Sequence, residues 1–432
     1  MFRRKTLLLG TAVIAILFLL INYYLLSILT LTRTDIEHVP TVEDFIWLEY
    51  QKLNSYYRAR KSSERIFLKF VKHLSYLDHE ALPNLWAEVS SWISDKQLFD
   101  ALNPKLGTVI NELKHAPIVK ADLDNRGTQL KLLLTLEGNQ DVIFKPKWYE
   151  KDEIIRGEVY AGKDRYGAEI VAFYLSILIG KPLTPIIAER NISLKKDVLP
   201  AATKRLLNTS FTNKLNRSCI YGSCFYCKRE DPICDNENDL LRGAVILDIK
   251  RQLKSHRSPW QRTYKKGKMA LWQESENYCS TVAKKLSKQR LLDLIDTAIF
   301  DFLIQNGDRH HYETLDEMVV LLDNGKGLGD PGVHHLDILA PLYQCCMIRQ
   351  QTWKSLLRLT GGKIEEYIRT VPDIESSVAV SHWRAMDQRL LLIFATVEYC
   401  KQIKKLVIHY IYCFFVIFHY TIKPFIYFGA YG

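Results

Sequence analysis

Eight residues, Asn306-Gly-Asp-Arg-His-His-Tyr-Glu313, place six ionisable side chains between two strongly apolar stretches. Before them, Arg290 to Gln305 repeats apolar residues at helical spacing; after them come Met318-Val-Val-Leu-Leu322 and Asp323-Asn-Gly325. The pattern predicts a buried helix that delivers one polar loop and a short strand that delivers a second polar turn. Asp308 and Asp323 then stand at neighbouring element ends, where a rigid scaffold aims them at one point. A polar surface loop with a satisfied histidine pair is the plain alternative. It leaves the spacing of Asp308, Glu313 and Asp323 without a reason.

At 432 residues, 47% hydrophobic and 25% charged, the chain is globular and long enough for two lobes. A net charge of +11 favours polyanionic partners such as nucleotide phosphates, an acidic glycan or a membrane face. Scattered lysines that only confer solubility account for the charge equally well. No Lys/Arg-rich run or nucleic-acid motif occurs, so nucleic acid is not an expected partner. Residues 7–32 carry no charge and follow Arg3, Arg4 and Lys5, which predicts a transmembrane signal anchor with residues 1–6 cytoplasmic and the rest luminal. Cleavage after the anchor is the alternative. Nine cysteines and three glycosylation sequons (Asn191, Asn208, Asn216) agree with an oxidising lumen. Zinc at Cys224/Cys227 lacks a second ligand pair at the required spacing, so disulfides are expected there.

Residues 33–105 read as a stem passing into packing helices, and regular lobe structure is expected from Leu106. Gly127 to Glu137 reads as a strand, Gly138-Asn-Gln-Asp141 as a hairpin turn, and Val142 to Pro146 as its partner. Lys145 thereby ends a strand, with Gln129 on the neighbouring one. A strand-end lysine is also commonly a solvated edge residue. Asp164 is placed as N-cap of a helix running to Ile179, with Gly180 and Pro182 stopping it. Glu169 sits beside its apolar stripe, where a carboxylate needs a partner or a metal. Asn191 to Cys234 is a cysteine-rich, stapled insertion. Arg242 to Ile249 suits a hinge, and Lys250 to Tyr278 is either an acceptor-contacting surface or an ordinary solvated face. Leu406 onward is apolar and aromatic, and reads as a non-native or mispredicted terminus more readily than as a second span.

In protein kinases a catalytic-loop Asp accepts the substrate hydroxyl proton, a residue five places on holds metal, and the Asp of a D-x-G turn takes Mg²⁺. Asp308, Glu313 and Asp323-Asn-Gly325 fill those slots, and a Lys145–Glu169 pair would complete the set. No G-x-G-x-x-G stands near Gly127, so the phosphate-covering loop departs from ordinary kinases.

Six stretches resemble a known family: Arg126-Gly-Thr-Gln-Leu-Lys131, Phe144-Lys-Pro-Lys147, Gly157 to Arg165, Cys219-Ile-Tyr-Gly-Ser-Cys224, Asn306 to Glu313, and Ile338 to Cys346. They resemble the secretory-pathway kinases that include the Golgi casein kinase. The resemblance covers about residues 106–402 and implies an α+β, atypical two-lobed kinase-like fold, with an N-lobe over 106–245, a C-lobe over 246–402 and an atypical tail over 403–432. It implies ATP with Mn²⁺ (or Mg²⁺). It assigns Gln129 and Lys145 to the nucleotide phosphates, Ile246, Leu247, Asp248 and Ile249 to the hinge, and Glu313 to the nucleotide–metal unit. Glu169 and Asp323 become metal ligands and Asp308 the catalytic base. It also implies the pairing Cys219–Cys234, Cys224–Cys227, Cys279–Cys345 and Cys346–Cys400. Tyr166-Gly167 departs from the His-Asn usual in relatives, and Gly307 is a second departure.

Phe144-Lys-Pro-Lys147, Gly157-Glu-Val-Tyr-Ala-Gly162 and Leu339-Ala-Pro-Leu-Tyr343 look like the sugar-kinase branch of the family. That implies phosphate transfer to the 2-hydroxyl of xylose in the glycosaminoglycan–protein linkage region, with the Gal-Gal-Xyl glycan as partner and the Golgi membrane as location. A secretory protein serine kinase and a pseudokinase that activates a relative are the competing expectations. A homo- or hetero-oligomer with family relatives is left open.

Overall fold

The computed structural model describes residues 15–25, 40–53, 57, 65–75, 77, 81–265, 267–275, 277–372, 374–403 and 406–409. It divides into Met1–Phe45 and one compact unit, Ile46–Gly432. Within the predicted anchor, residues 15–25 form an exposed helix, and the remaining positions lie outside the described residues. Among the described residues no helix is long and apolar enough to cross a membrane. The structure therefore does not support the expected transmembrane helix over 7–32.

Among the described residues thirteen strands organise the larger unit. Five of them, β1 (Ile118–Leu123), β2 (Leu132–Leu136), β3 (Gln140–Pro146), β4 (Ile187–Ile192) and β8 (Leu241–Leu247), build one sheet in the order β1-β2-β3-β8-β4, with every pairing antiparallel. Helix α1 (Leu106–His115) covers β4 and β8, and helix α2 (Tyr166–Leu178) packs against the same two strands. All thirteen residues of α2 are buried, so the single apolar stripe expected of it is in fact the whole helix.

Three local readings shift. The strand expected from Gly127 begins only at Leu132, because Arg126 is held by Asp124 and Asp248 and Gly127 turns the chain at φ +81°. Gln129 is consequently in a loop, not on a strand. The hairpin turn lies at Glu137-Gly138-Asn139, since Leu136 pairs with Gln140 and both Gly138 and Asn139 take positive φ. The N-cap of α2 is Arg165, not Asp164, whose carboxylate points to Lys145.

The insertion is not a plain loop. It folds into a small sheet of β5 (Ser210–Thr212), β6 (Ser218–Ile220) and β7 (Ile233–Cys234), stapled by Cys219–Cys234 and Cys224–Cys227. Its three sequon asparagines are exposed. The backbone N–H of Tyr226, inside the second staple, donates to the Thr128 carbonyl at 3.1 Å and so backs onto the loop that carries Gln129.

The second half is built on helix α3 (Lys288–Ile304), capped by Ser287 and ended by Gln305 at φ +60°. Thirteen of its seventeen residues are buried, including Asp296 and Asp301, so both acids require internal cations. Asp296 receives Lys181 and Arg349, and Asp301 receives Arg309. Beyond α3, β10 (His311–Leu315) pairs with β11 (Met318–Val320) and with β9 (Lys254–Arg257). Helix α4 (Val380–Ile403) packs against α3. The remaining expected bridges, Cys279–Cys345 and Cys346–Cys400, are both formed. Val407–His409 adds a parallel strand to Met347–Arg349, while 410–432 lies outside the described residues.

Cys346–Cys400 closes a span of 54 residues and ties α4 to the segment after α3. Replacing both cysteines by serine is expected to lower unfolding free energy by about 2–5 kcal/mol, read by chemical denaturation; an unchanged midpoint would show that packing alone holds α4.

Candidate active site

Lys145 leaves β3 with its side chain 5% exposed and its ammonium among three carboxylates. Nζ donates to Glu169 Oε1 at 2.5 Å, Asp323 Oδ1 at 2.5 Å and Asp164 Oδ2 at 3.1 Å. The register of β3 on β8, with Lys145 opposite Ala244, aims it at the first turn of α2, which supplies Glu169. Burial works against the charged form of Lys145. Asp164, Asp323 and Glu169 outweigh it and raise the lysine well above its ordinary value. The same ammonium, followed by Lys131, holds Asp323 well below the usual carboxylate range, although burial opposes it. Asp323 stands at φ +54°, with its side chain 65% exposed into the cavity that adjoins it.

The two polar turns are locked to each other by Arg309. Its guanidinium donates to Asp301 at 2.6 and 2.8 Å, to the Leu322 carbonyl at 2.6 Å and to Asn324 Oδ1 at 2.8 Å. Asn324 is fully buried and donates to Glu169 Oε2 at 3.3 Å and to the Leu321 carbonyl at 3.0 Å. Asn306 adds a bond to the Asp323 carbonyl at 3.3 Å. Sequence reasoning missed Arg309, Asn324 and the role of Asp164. Arg309 follows Asp301 by eight positions, and a buried acid in the last turn of a helix shortly before a loop arginine is the signal that could have found the pair.

Asp308 is partly buried, and burial raises its pKa, opposed by the hydroxyl of Tyr264, which donates to Oδ1. Gly307 beside it is a close-approach position: a Cβ there would fall 2.4 Å from both methyls of Val159. Gly167 is similar, with the Ser377 carbonyl 2.4 Å from where its Cβ would be. Both departures from the family pattern are thus packing solutions and leave the charged groups in place.

One cavity of about 610 Å³ collects the expected residues. Gln129, Lys145, Glu169, Ile246, Leu247, Asp248, Ile249, Asp308, Glu313 and Asp323 all line it. Gln129 reaches it from its loop, accepting the Asp164 N–H at 2.9 Å through Oε1, and Glu313 from β10, accepting Ser255 Oγ at 3.3 Å. Leu247 and Asp248 spend their N–H groups on the Ile186 and Asp141 carbonyls. The Lys250–Tyr278 segment is mixed. Trp260 and Trp272 are buried with their indole N–H groups satisfied, whereas Tyr264 reaches the base.

A buried strand lysine paired with a helix glutamate, beside two aspartates on linked turns, is the arrangement of a kinase cleft. A family model described as "Fam20C: Golgi casein kinase, C-terminal, Fam20" matches residues 84–406. The chain belongs to the Fam20 family. A relative named "Glycosaminoglycan xylosylkinase homolog" from Drosophila melanogaster is 38% identical over 89% of this chain and 93% of its own length. The Homo sapiens protein named "Glycosaminoglycan xylosylkinase" is 40% identical over 79% of this chain and 87% of its own. Among solved structures, hydra Fam20 with sugar superposes with a TM-score of 0.71 at 38% identity, covering 76% of this chain and 98% of that one. The Golgi casein kinase with Mn/ADP bound shares the fold, with a TM-score of 0.69 at 24% identity over 89% of this chain and 91% of that one.

Because the folded pKa of Asp323 is depressed, its ion pair stabilises above the ordinary carboxylate value of about 4 and is lost as pH falls through the lower folded value. Lys145→Met removes the shared cation from three carboxylates and reverses that dependence. Its melting temperature should fall most at pH 8 and partly recover toward pH 5, where a carboxylate takes up a proton. A pH-independent difference from the parent would mean the lysine does not hold the acids together.

Proposed function

We propose that this Fam20 protein transfers the γ-phosphate of ATP to the 2-hydroxyl of xylose in the glycosaminoglycan–protein linkage region. The observation that carries the chemistry is the convergence of Lys145, Glu169, Asp308 and Asp323 on one cavity from four separate stretches of chain. The acceptor class rests on the relatives named xylosylkinase that align over most of their length.

The cavity volume of about 610 Å³ suits a nucleotide. The strip from Ile246 to Ile249 lines its apolar side, and Gln129 lines it from the covering loop. Lys145 brings one positive charge to three carboxylates, so this cluster has negative charge to spare and offers hard oxygen donors. That chemistry fits Mn²⁺ or Mg²⁺ on Glu169 and Asp323, with Glu313 at the nucleotide–metal unit. Among the described residues no group of three or more His, Cys, Asp or Glu is arranged to hold an ion alone. Such an ion, when bound, neutralises phosphate charge.

The protein's own part is positioning. Asp308 accepts a hydrogen bond from the acceptor hydroxyl, aligns it with the phosphate and takes its proton. Burial keeps its basicity above that of an ordinary aspartate, and Tyr264 limits the rise. A membrane-anchored, luminal Golgi enzyme is the setting we propose for it. The apolar residues 7–32, the exposed sequons and the four disulfides support that reading.

Purified protein incubated with ATP, Mn²⁺ and either a Gal-Gal-Xyl glycan or casein tests the acceptor. Phosphate on the glycan and not on casein is expected; the reverse makes it a protein kinase, and no turnover on either revives the pseudokinase alternative. Asp308→Asn should lower glycan phosphorylation by roughly 10²–10⁴-fold without weakening nucleotide binding. Tyr264→Phe removes a bond that favours the ionised base, so the acidic limb of the kcat–pH profile should move up by roughly one pH unit; an unmoved limb would separate Tyr264 from the base.

A further inference from the structure

Arg389 stands within α4 with its side chain wholly inside the protein, 0% exposed. Other buried arginines of this half are matched by acids: Arg309 by Asp301, and Arg349 by Asp293 and Asp296. No carboxylate acts on Arg389. Burial alone sets its pKa, pushing it down to about 9, so the group is still charged at neutral pH.

Only one side of the guanidinium is answered. Nη1 donates to the Leu303 carbonyl in the last turn of α3. A helix C-terminus offers roughly half a unit of negative charge, which leaves the cation partly compensated. Nε and Nη2 are buried and have no hydrogen-bond partner among the described residues. These two nitrogens form one edge of the planar group, with parallel N–H bonds, so a single acceptor can take both. Buried polar groups are as a rule satisfied, and buried charges are paired.

The surroundings narrow the class of that acceptor. The Arg389 charge bears on His334 and His382, and burial followed by that charge lowers both to about 4. Both imidazoles are therefore neutral near pH 7 and bring no competing cation. His334 Nε2 bonds Gln388 Oε1 at 3.1 Å, one residue before Arg389, so the segment after Asp330 closes over this part of α4. The Nδ1 atoms of His334 and His382 are likewise buried with no hydrogen-bond partner among the described residues. An occupant of the free edge must carry negative charge, fit a closed interior position and accept hydrogen bonds. A halide meets all three requirements, whereas water supplies no charge.

We infer that Arg389 binds a small monovalent inorganic anion, chloride, on its Nε/Nη2 edge. The ion completes the charge of a guanidinium that already holds Leu303, five residues before Asp308. It thereby braces the end of α3 from which the Asp308 loop departs. Nothing in this assignment depends on which acceptor the cleft phosphorylates.

Melting of the full chain tests it, with sodium gluconate exchanged for sodium chloride at a constant ionic strength of about 0.15 M. Gluconate is too bulky for a closed site. The parent protein should gain roughly 2–4 °C, saturating with chloride concentration, and bromide should act in the same way. Arg389→Met, which replaces the cation by an apolar chain, should melt at one temperature in both salts. Diffraction from parent crystals grown in bromide reads the site without relying on a variant that folds. An anomalous peak within hydrogen-bond reach of Nε and Nη2 is expected there; a water or no peak overturns the inference. A chloride gain retained by folded Arg389→Met also overturns it, since the ion would then act elsewhere. A bromide peak with no chloride-specific gain in solution marks an adventitious ion only, and overturns it too.

Discussion

The ion pair cluster at Lys145 is the constraint on which the rest of the molecule turns. A single buried ammonium joins β3, the segment before α2, α2 itself and the turn after β11. Those pieces come from residues 145, 164, 169 and 323, so the cluster joins the sheet half to the helical half. Removing one member of a buried ionic set strands the others in low dielectric, which costs more than the set returns when whole. The arrangement therefore specifies one relative placement of the two halves more than it adds net stability. It also leaves negative charge in the cleft, which suits a cation and a nucleotide arriving together.

A second layer makes the first rigid. Arg309 occupies the loop next to Asp308 and ties Asp301 on α3, the Leu322 carbonyl and Asn324 into one network. The proposed base and the proposed metal ligand are thereby carried on two turns that cannot move independently. Asn324 passes the constraint on to Glu169, so three acids take their positions from one arginine. Here the fold and the site are a single hydrogen-bonded object.

Much of this was legible in the chain. The helix over Arg290–Gln305 was readable because its apolar residues recur at helical spacing. The acids were readable because chemistry of this kind leaves them at element ends, and the ten residues that the resemblance singles out all line one cavity. What stayed hidden was contact across distance. Asp164 looks like a helix cap in sequence, because serine, asparagine and aspartate before a helix usually cap it; only the fold shows Lys145 nearby. Gln129 was placed on a strand since Gly127 to Glu137 alternates well enough, and the ion pairs that bend Arg126 away are invisible in one dimension.

Cys345 and Cys346 are neighbours in the chain, yet one bridges to Cys279 and the other to Cys400. The left-handed conformation of Cys346, φ +50°, sends the two thiols toward different helices. During oxidative maturation these adjacent sulfurs compete for the same two partners, and a swap would cross-link α4 to the wrong neighbour while leaving every cysteine oxidised. Thiol counting cannot distinguish that isomer from the native one. Partial reduction with stepwise alkylation, which marks the two adjacent cysteines separately where cleavage between them cannot, is therefore the quality standard for any preparation used to measure activity.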